Sequence, residues 1–287
     1  HGKLRRVDFI AIGGHTTSVE LPPDAEIAVK RSLFDELLME EAKNVGAEIR
    51  QGTTISALTR NGACWRLRAG AETFDASVLV AADGRNSTVA RLLGLLPRIA
   101  KERVALQTHL PLPAGFGDRV VLQFLHEGYS GQAPIGDGQL NLCLVGKPAS
   151  MPALRAWAGA HFGVAVDHTW RTITPLRRTA INPAGRRLFF IGDAARVVEP
   201  FTGEGISYAL RSGELAASVI ARLHDHGDEA VAERDYAVAH AQLYRGRLWV
   251  NRIARAAVLS PRTTSLFLRT GFVRPSLLAA LTTKIVR

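Results

Sequence analysis

Two cysteines in 287 residues exclude a disulfide framework, and Cys64 and Cys143 stand isolated, as reduced core thiols of a cytoplasmic protein do. No C-x-x-C with paired histidines is present, which excludes a zinc finger; His224 and His226, beside Gly227 and without a third ligand nearby, are expected in an exposed loop, so no metal site is expected. No apolar run is long enough to span a bilayer, and the N-terminal residues lack a signal-peptide pattern. G-x-G-x-x-G after a strand, the fingerprint of dinucleotide binding, occurs nowhere in the chain. Acidic residues are outnumbered, 26 against 36 Lys and Arg, for a formal charge of +10. No basic cluster studded with aromatics accompanies that charge, so arginine-rich composition rather than nucleic-acid binding is expected.

What is present centres on LFFIGDAARVVEPFTGEGISYAL, Leu188 to Leu210. Four apolar residues predict a buried strand, which Gly192, Asp193 and two alanines stop. Pro200, Gly203 and Gly205 bracket Phe201, Thr202 and Glu204, and Ile206, Ala209 and Leu210 begin an apolar face at helical spacing. Glycines let backbone approach a flat ligand, and the N–H groups of a helix start favour an anion. Asp193, just past the strand, is able to accept hydrogen bonds from ligand hydroxyls. Taken alone, these residues suit an ordinary strand, loop and helix equally well.

Upstream, Arg6 to Ile12 and Thr16 to Leu21 predict a β-hairpin turned at Gly13, Gly14 and His15. A helix is predicted from Ser32 as N-cap, with Asp35 as capping-box partner and Gly46 as terminator. Phe34, Leu37, Leu38, Ala42 and Val45 form its expected buried stripe. Short strands at Thr54 to Leu58, Cys64 to Arg68 and Thr73 to Phe74 turn at Asn61-Gly62 and Gly70. The stretch VLVAADGRNSTVARLLGL, Val78 to Leu95, repeats the order of strand, polar stop and helix, with Ser87 near the helix start. Asp83-Gly84 by itself reads as a tight turn.

Together these stretches resemble a known family. GDAAR..EPFTGEGI..AL is similar to the second FAD-binding motif of the flavin-dependent monooxygenase and geranylgeranyl reductase superfamily, and A-D-G-x-x-S-x-x-x-R to its DG motif. Arg31, in VKRSLFDELLMEEAKNVGAEI, resembles the arginine of that superfamily's R-x-x-F/L-D-x-x-L helix start. The resemblance covers Val7 to Leu210. It implies FAD as cofactor, with Gly192 and Asp193 at the ribityl chain and Pro200, Gly203, Glu204 and Gly205 against the pyrimidine edge of the isoalloxazine. Asp83, Gly84 and Ser87 would pack near the ribose and pyrophosphate, Arg31 would reach the cofactor, and NAD(P)H would donate electrons. The chain departs from the pattern at Ala90, where the commonest form has arginine; here Arg91 follows one place later.

Between the motifs, Lys101 to Leu112 and Arg119 to Leu125 predict strands, and Tyr129 to Gly146 a loop, a turn at Gly136-Asp137-Gly138 and a strand. A substrate-domain sheet belongs here, with Leu106, Thr108, Phe124, Tyr129 and Leu142 as pocket candidates. GYSGQAP stands where geranylgeranyl reductases often carry Y-x-W-x-F-P. Ala153 to Phe162 predicts a helix, and Trp170 to Ala180 an extended return with Pro175 and Arg177 near the pocket. After Leu210 helices continue through Ser212 to Leu223, break at Gly227, resume from Glu229 towards Ala257, and are divided by Pro261 and Pro275. No Asp or Glu occurs from Tyr236 to Arg287, so this tail reads either as a solvated helical cap or as a surface for peripheral membrane contact.

The expected fold is α/β (α+β): an FAD-binding lobe of aromatic-hydroxylase type, an antiparallel substrate-domain sheet and a helical C-terminus, with the first βαβ unit missing. The expected division is 1–100, partial FAD lobe; 101–180, substrate sheet; 181–215, second FAD motif; and 216–287, C-terminal helices. The implied activity is an NAD(P)H-dependent monooxygenase acting on a small hydrophobic or aromatic substrate. The alternatives are a reductase that saturates isoprenoid double bonds and, because the chain opens at His1 within a strand pattern, a truncated fragment unable to retain FAD.

Overall fold

The computed structural model describes residues 2–23, 26–96, 103–271, 276 and 278–280. The expected strand start at Lys101, the break at Pro275 and the end of the basic tail lie outside the described residues. Strands β1 (Gly2–Leu4), β2 (Arg6–Ile10), β3 (Thr16–Glu20) and β4 (Glu26–Ala28) precede helix α1 (Arg31–Asn44). A meander of β5 (Ala57–Asn61), β6 (Cys64–Ala69) and β7 (Glu72–Ala76) leads to β8 (Leu79–Ala81) and α2 (Thr88–Leu92). Next come β9 (Val104–Pro111), β10 (Arg119–Leu125), β11 (Gly128–Pro134) and β12 (Gln139–Gly146), then α3 (Met151–Phe162) and β13 (Arg171–Ile173). Among the described residues these are followed by β14 (Ala184–Gly185), β15 (Leu188–Phe190) and the helices α4 (Gly192–Ala195), α5 (Gly205–His226), α6 (Glu229–Leu243), α7 (Leu248–Leu259) and α8 (Pro261–Arg269).

The elements group into two compact units, one from the described parts of 1–48, 101–176 and 249–287, the other from 49–100 and 177–248. The first unit holds a seven-stranded sheet of order β13-β9-β12-β11-β10-β2-β3. All its pairings are antiparallel except β10 with β2, so the hairpin grouped with residues 1–100 in the linear division shares a sheet with strands of 104–146. β11 corrects the expectation of a loop at Tyr129: its run of small residues forms a regular antiparallel strand between β10 and β12. One face of the sheet is covered by α3, where Leu106, Leu142 and Leu144 pack on Leu154 and Ala158. Strand alternation therefore splits the five pocket candidates. Leu106, Thr108 and Leu142 share the face under α3, whereas Phe124 and Tyr129, paired across β10 and β11, lie on the opposite face.

The N-cap of α1 lies two residues before the predicted one. Lys30 is the N-cap, extended in backbone, and its carbonyl accepts from the N–H groups of Leu33 and Phe34, so Ser32 lies inside the helix. Asp35 pairs with Arg31 at 3.0 Å instead of closing a capping box. Gly46, at φ +96°, ends the helix as expected. No residue of α1 is buried, and the expected inner residue Val45 is 84% exposed. The stripe expected to be buried is therefore not: Phe34 and Ala42 are half-buried and Leu37, Leu38 and Val45 exposed, because apolar periodicity marks a face without supplying a partner for it.

The second unit holds the meander β5-β6-β7, a sheet of order β14-β15-β8, and helices α2, α4, α5 and α6. The first strand of the meander runs three residues later than predicted, because Asn61 pairs with Cys64 across the turn at Gly62 and fixes the register. α5 continues through His224 to His226, so these residues belong to a helix, not a loop. Gly227, at φ +72°, is its terminator. Cys64 and Cys143 are free thiols, and burial pushes the Cys143 thiol up to about 11. Among the described residues no helix is long and apolar enough to cross a membrane.

Candidate functional site

Both glycine-containing motifs leave the same sheet side by side. β8 and β15 pair in parallel, Leu79 with Leu188, Val80 with Phe189 and Ala81 with Phe190, and Ile191 N–H donates to the Ala81 carbonyl at 3.0 Å. Parallel neighbours end at the same edge, so the segments that follow, Asp83 to Ser87 and Gly192 to Ala195, emerge together. The carboxyl ends of parallel strands are where open α/β sheets bind ligands. The core beneath is apolar: Leu188, Phe190, Ala81, Val89, Ala90, Ala194 and Ala195 are all buried in one cluster.

In the first motif the Asp83 carboxylate accepts from Val89 N–H at 3.0 Å, and Ser87, fully buried, is the N-cap of α2, accepting from Ala90 N–H at 3.0 Å. Gly84 adopts φ +76°, and nothing lies within 4 Å of where its side chain would be. Arg85 reaches the second motif, its Nη2 lying 3.1 Å from Asp193 Oδ2. The two motifs are thus joined by a partly exposed ion pair that their separate sequences did not announce.

In the second motif Gly192 adopts φ +53° and donates to Ser212 Oγ at 2.8 Å; a side chain there would sit 3.0 Å from Ala209 Cβ. This is close packing of a strand end on α5, not an open cradle. Behind the turn lies Arg178, whose Nη2 donates to the carbonyls of Asp193 and Ala194. Its guanidinium is buried, and Nε and Nη1 have no hydrogen-bond partner among the described residues. Burial lowers its pKa, and the carboxylates of Asp193 and Asp83 oppose that shift. The sequence expected Arg177 near the pocket and did not single out Arg178. Burial alternates along the extended segment, with Leu176 buried, Arg177 exposed, Arg178 buried and Thr179 exposed, so the apolar Leu176 two places earlier was the available signal.

Residues 200 to 205 form a short 3-10 turn, Pro200–Thr202, and Gly203 in the left-handed region at φ +74°, before α5 begins at Gly205. Nothing lies within 4 Å of a side chain built on Gly203 or Gly205, so this backbone faces open space at the start of a 22-residue helix. Glu204 turns the other way. Its Oε1 accepts from Tyr208 OH and from Arg247 Nη1, both at 2.9 Å, and the carboxylate is buried. It therefore anchors the loop from inside, with Tyr208 stacked on Tyr244 at 4.5 Å between ring centroids. Arg31 belongs to the other unit, where it opens α1 and pairs with Asp35.

Next along this aromatic stack is His240, buried between Tyr236 and Tyr244, with Nε2 unpartnered among the described residues and Arg196 nearby. Burial, aided by the Arg196 charge, lowers its pKa from 6.5 to about 4. The unfolded chain therefore binds this proton between pH 6.5 and 4 while the folded chain does not, and stability present above pH 6.5 is lost as pH falls through that window. The loss expected at pH 4 is about 3 kcal/mol. Urea melts of the wild type and of His240→Phe across this range measure it, and equal pH slopes in the two would show that His240 is not the group responsible.

Comparison with known proteins finds similarity over much of the chain. Residues 10–114 match the FAD binding domain family. The chain is 27% identical over 251 residues to a menaquinone reductase of Mycolicibacterium smegmatis, covering 74% of this chain and 59% of the relative. It is 30% identical over 251 residues to a digeranylgeranylglycerophospholipid reductase of Methanoculleus marisnigri, covering 78% and 62%. The chain thus spans less than two thirds of either relative's length. Among solved structures, p-nitrophenol 4-monooxygenase from Pseudomonas putida superposes with a TM-score of 0.79 over 99% of this chain and 81% of that one, at 12% identity. The mixed α/β architecture with a large sheet and helical C-terminus is the fold of that structure. By these matches residues 10–114 are similar to FAD binding domains, the chain is similar over about three quarters of its length to the two reductases, and it shares the fold of p-nitrophenol 4-monooxygenase.

Proposed function

We propose that this chain carries the cofactor site of an FAD-dependent oxidoreductase, an NAD(P)H-dependent monooxygenase acting on a small hydrophobic or aromatic substrate. The observation that carries the reading is the juxtaposition of Asp83–Ser87 with Gly192–Asp193 at the shared end of β8 and β15. FAD, when bound, supplies the redox chemistry. The residues present fit it. Gly203 and Gly205 offer open backbone, and the unpaired N–H groups that start α5 favour negative charge. Asp193 and Arg85, a quarter exposed at their side chains, offer an acceptor and a donor set for hydroxyl and phosphate groups. Asp83 and Glu204 support the site from behind, the first by accepting from Val89 N–H in the first turn of α2 and the second by fixing the loop through the side chains of Tyr208 and Arg247.

The substrate side of the reading rests on the sheet face opposite α3. Gln107 and Asn141 bond to each other across β9 and β12 at 2.6 Å on that face, and His109 stands beside them with its pKa lowered by burial and by Lys30 and Arg171. Apolar Phe124 and Tyr129 share the face, which suits an aromatic molecule oriented by a few polar contacts. A second reading, saturation of isoprenoid double bonds, is favoured by the named activity of the relative from Methanoculleus marisnigri.

The test is direct. After incubation with FAD and removal of free cofactor, the wild-type chain should retain a protein-perturbed flavin spectrum, and Asp193→Ala should weaken FAD binding by about ten-fold or more. NAD(P)H oxidation that consumes oxygen supports the monooxygenase, whereas substrate-dependent oxidation without oxygen uptake supports the saturase. A colourless wild-type chain counts against cofactor retention by this chain.

A further inference from the structure

The outer faces of α7 and α8 combine large apolar side chains with arginine and have no acidic neighbour in their own sequence. Val250, Asn251, Ala254 and Val258 turn inward on α7, as do Ser265 and Leu268 on α8. Ser265 Oγ accepts from Ile12 N–H at 2.9 Å, which ties α8 to the turn after β2. The opposite positions are solvent-facing: Trp249, Ile253 and Leu259 are 42%, 49% and 45% exposed, and Leu266 and Phe267 are 55% and 41% exposed. On each helix they lie on the side away from the buried positions, which makes both helices amphipathic. Arg252, Arg262 and Arg269 are exposed among them.

We propose that this face binds an anionic lipid surface. Exposed apolar side chains gathered on one face mark an interaction site, and the charge around them selects the partner. From Tyr236 to Arg287 there is no Asp or Glu, so nothing in α7 or α8 repels lipid phosphates. Tryptophan and phenylalanine suit the headgroup boundary, and arginine stems lie along apolar surface while the guanidinium reaches phosphate. A nucleic acid would use the arginines and leave Ile253, Leu259 and Leu266 in water. Helix α1 provides the internal contrast. Its exposed Leu33, Leu37 and Leu38 are interspersed with Asp35, Glu36, Glu40 and Glu41, which an anionic surface would repel. The proposal is independent of the redox reading, because none of these residues belongs to the cofactor site.

Co-sedimentation with vesicles tests it, using phosphatidylglycerol and phosphatidylcholine in equal parts against phosphatidylcholine alone. The whole chain is expected to bind the anionic vesicles and to be released by salt. Each arginine near the surface contributes about five-fold in affinity, so Arg252→Gln with Arg262→Gln should weaken binding by about 25-fold. Ile253→Ser with Leu266→Ser should weaken it by about ten-fold or more, and Leu37→Ser on α1 should change it by less than about two-fold. Circular dichroism checks that each variant folds; the arginine pair, exposed at both positions, decides if the apolar pair does not. Three results would overturn the proposal: no binding to anionic vesicles, binding that neither pair weakens, or a dimer in sedimentation velocity that the apolar pair dissociates without any lipid binding.

Discussion

Arg178→Ala is expected to destabilise the chain by about 3 kcal/mol and to cost it retention of FAD. Arg178 donates to the carbonyls of Asp193 and Ala194 from a buried position, and its charge opposes the carboxylates of Asp193 and Asp83. Truncation would leave two carbonyls without a donor and two carboxylates less compensated, and buried groups abandoned in this way carry their full desolvation cost. Three variants separate volume from charge. Arg178→Met keeps the packing and should behave like alanine, whereas Arg178→Lys, with an ammonium able to reach a carbonyl, should recover part of the loss. Urea denaturation and FAD titration read both effects. A methionine variant as stable as wild type, with unchanged FAD affinity, would show that the turn needs only a filled space.

The second large effect lies in the seven-stranded sheet. Gly128 and Gly146 face each other at the end of the β11 and β12 pair. A side chain built on Gly128 overlaps the Val145 carbonyl oxygen, and one built on Gly146 lies 2.7 Å from the Glu127 carbonyl oxygen and 2.9 Å from Leu154 Cδ1. Carbonyls of a paired strand cannot step aside, so Gly128→Ala is expected to cost about 4 kcal/mol or to prevent folding. Gly131→Ala serves as the control in the same strand, because its new methyl would make only ordinary contacts at 3.9 Å with Leu122 and 4.0 Å with Cys143. Thermal melts of the two variants should differ by more than ten degrees on the usual scale of roughly 3 °C per kcal/mol for a chain of this size. Equal melting temperatures would mean that the end of the sheet opens without penalty.

Local chemistry wrote much of this protein in plain sequence. The strand ends at Ala81 and Phe190, the cap at Ser87, the turns at Gly62 and Gly70 and the helix stops at Gly46 and Gly227 all follow from what glycine, serine and aspartate do to the adjacent backbone. These are short-range effects, settled by a few neighbouring residues. The two turns proposed for the cofactor were legible as turns for the same reason, since Asp83, Gly192 and Asp193 stand where strands must stop.

Tertiary structure decided which of these segments meet and which side chains they present. The parallel pairing of β8 with β15 brings Arg85 to Asp193 across 108 positions of sequence. Pairing of β10 with β2 places the N-terminal hairpin in the large sheet, and the weakly patterned GYSGQAP becomes a strand because β10 and β12 supply its hydrogen-bond partners on both sides. Glu204, in a loop predicted to face the cofactor, turns inward because Tyr208 and Arg247 offer it two charge-assisted donors. Arg178 rather than its neighbour Arg177 is buried, because only its side of the extended segment faces the carbonyls of Asp193 and Ala194. A residue's propensity is a property of its neighbours in the chain, whereas its burial and its partners depend on surfaces that come together only when distant segments pair.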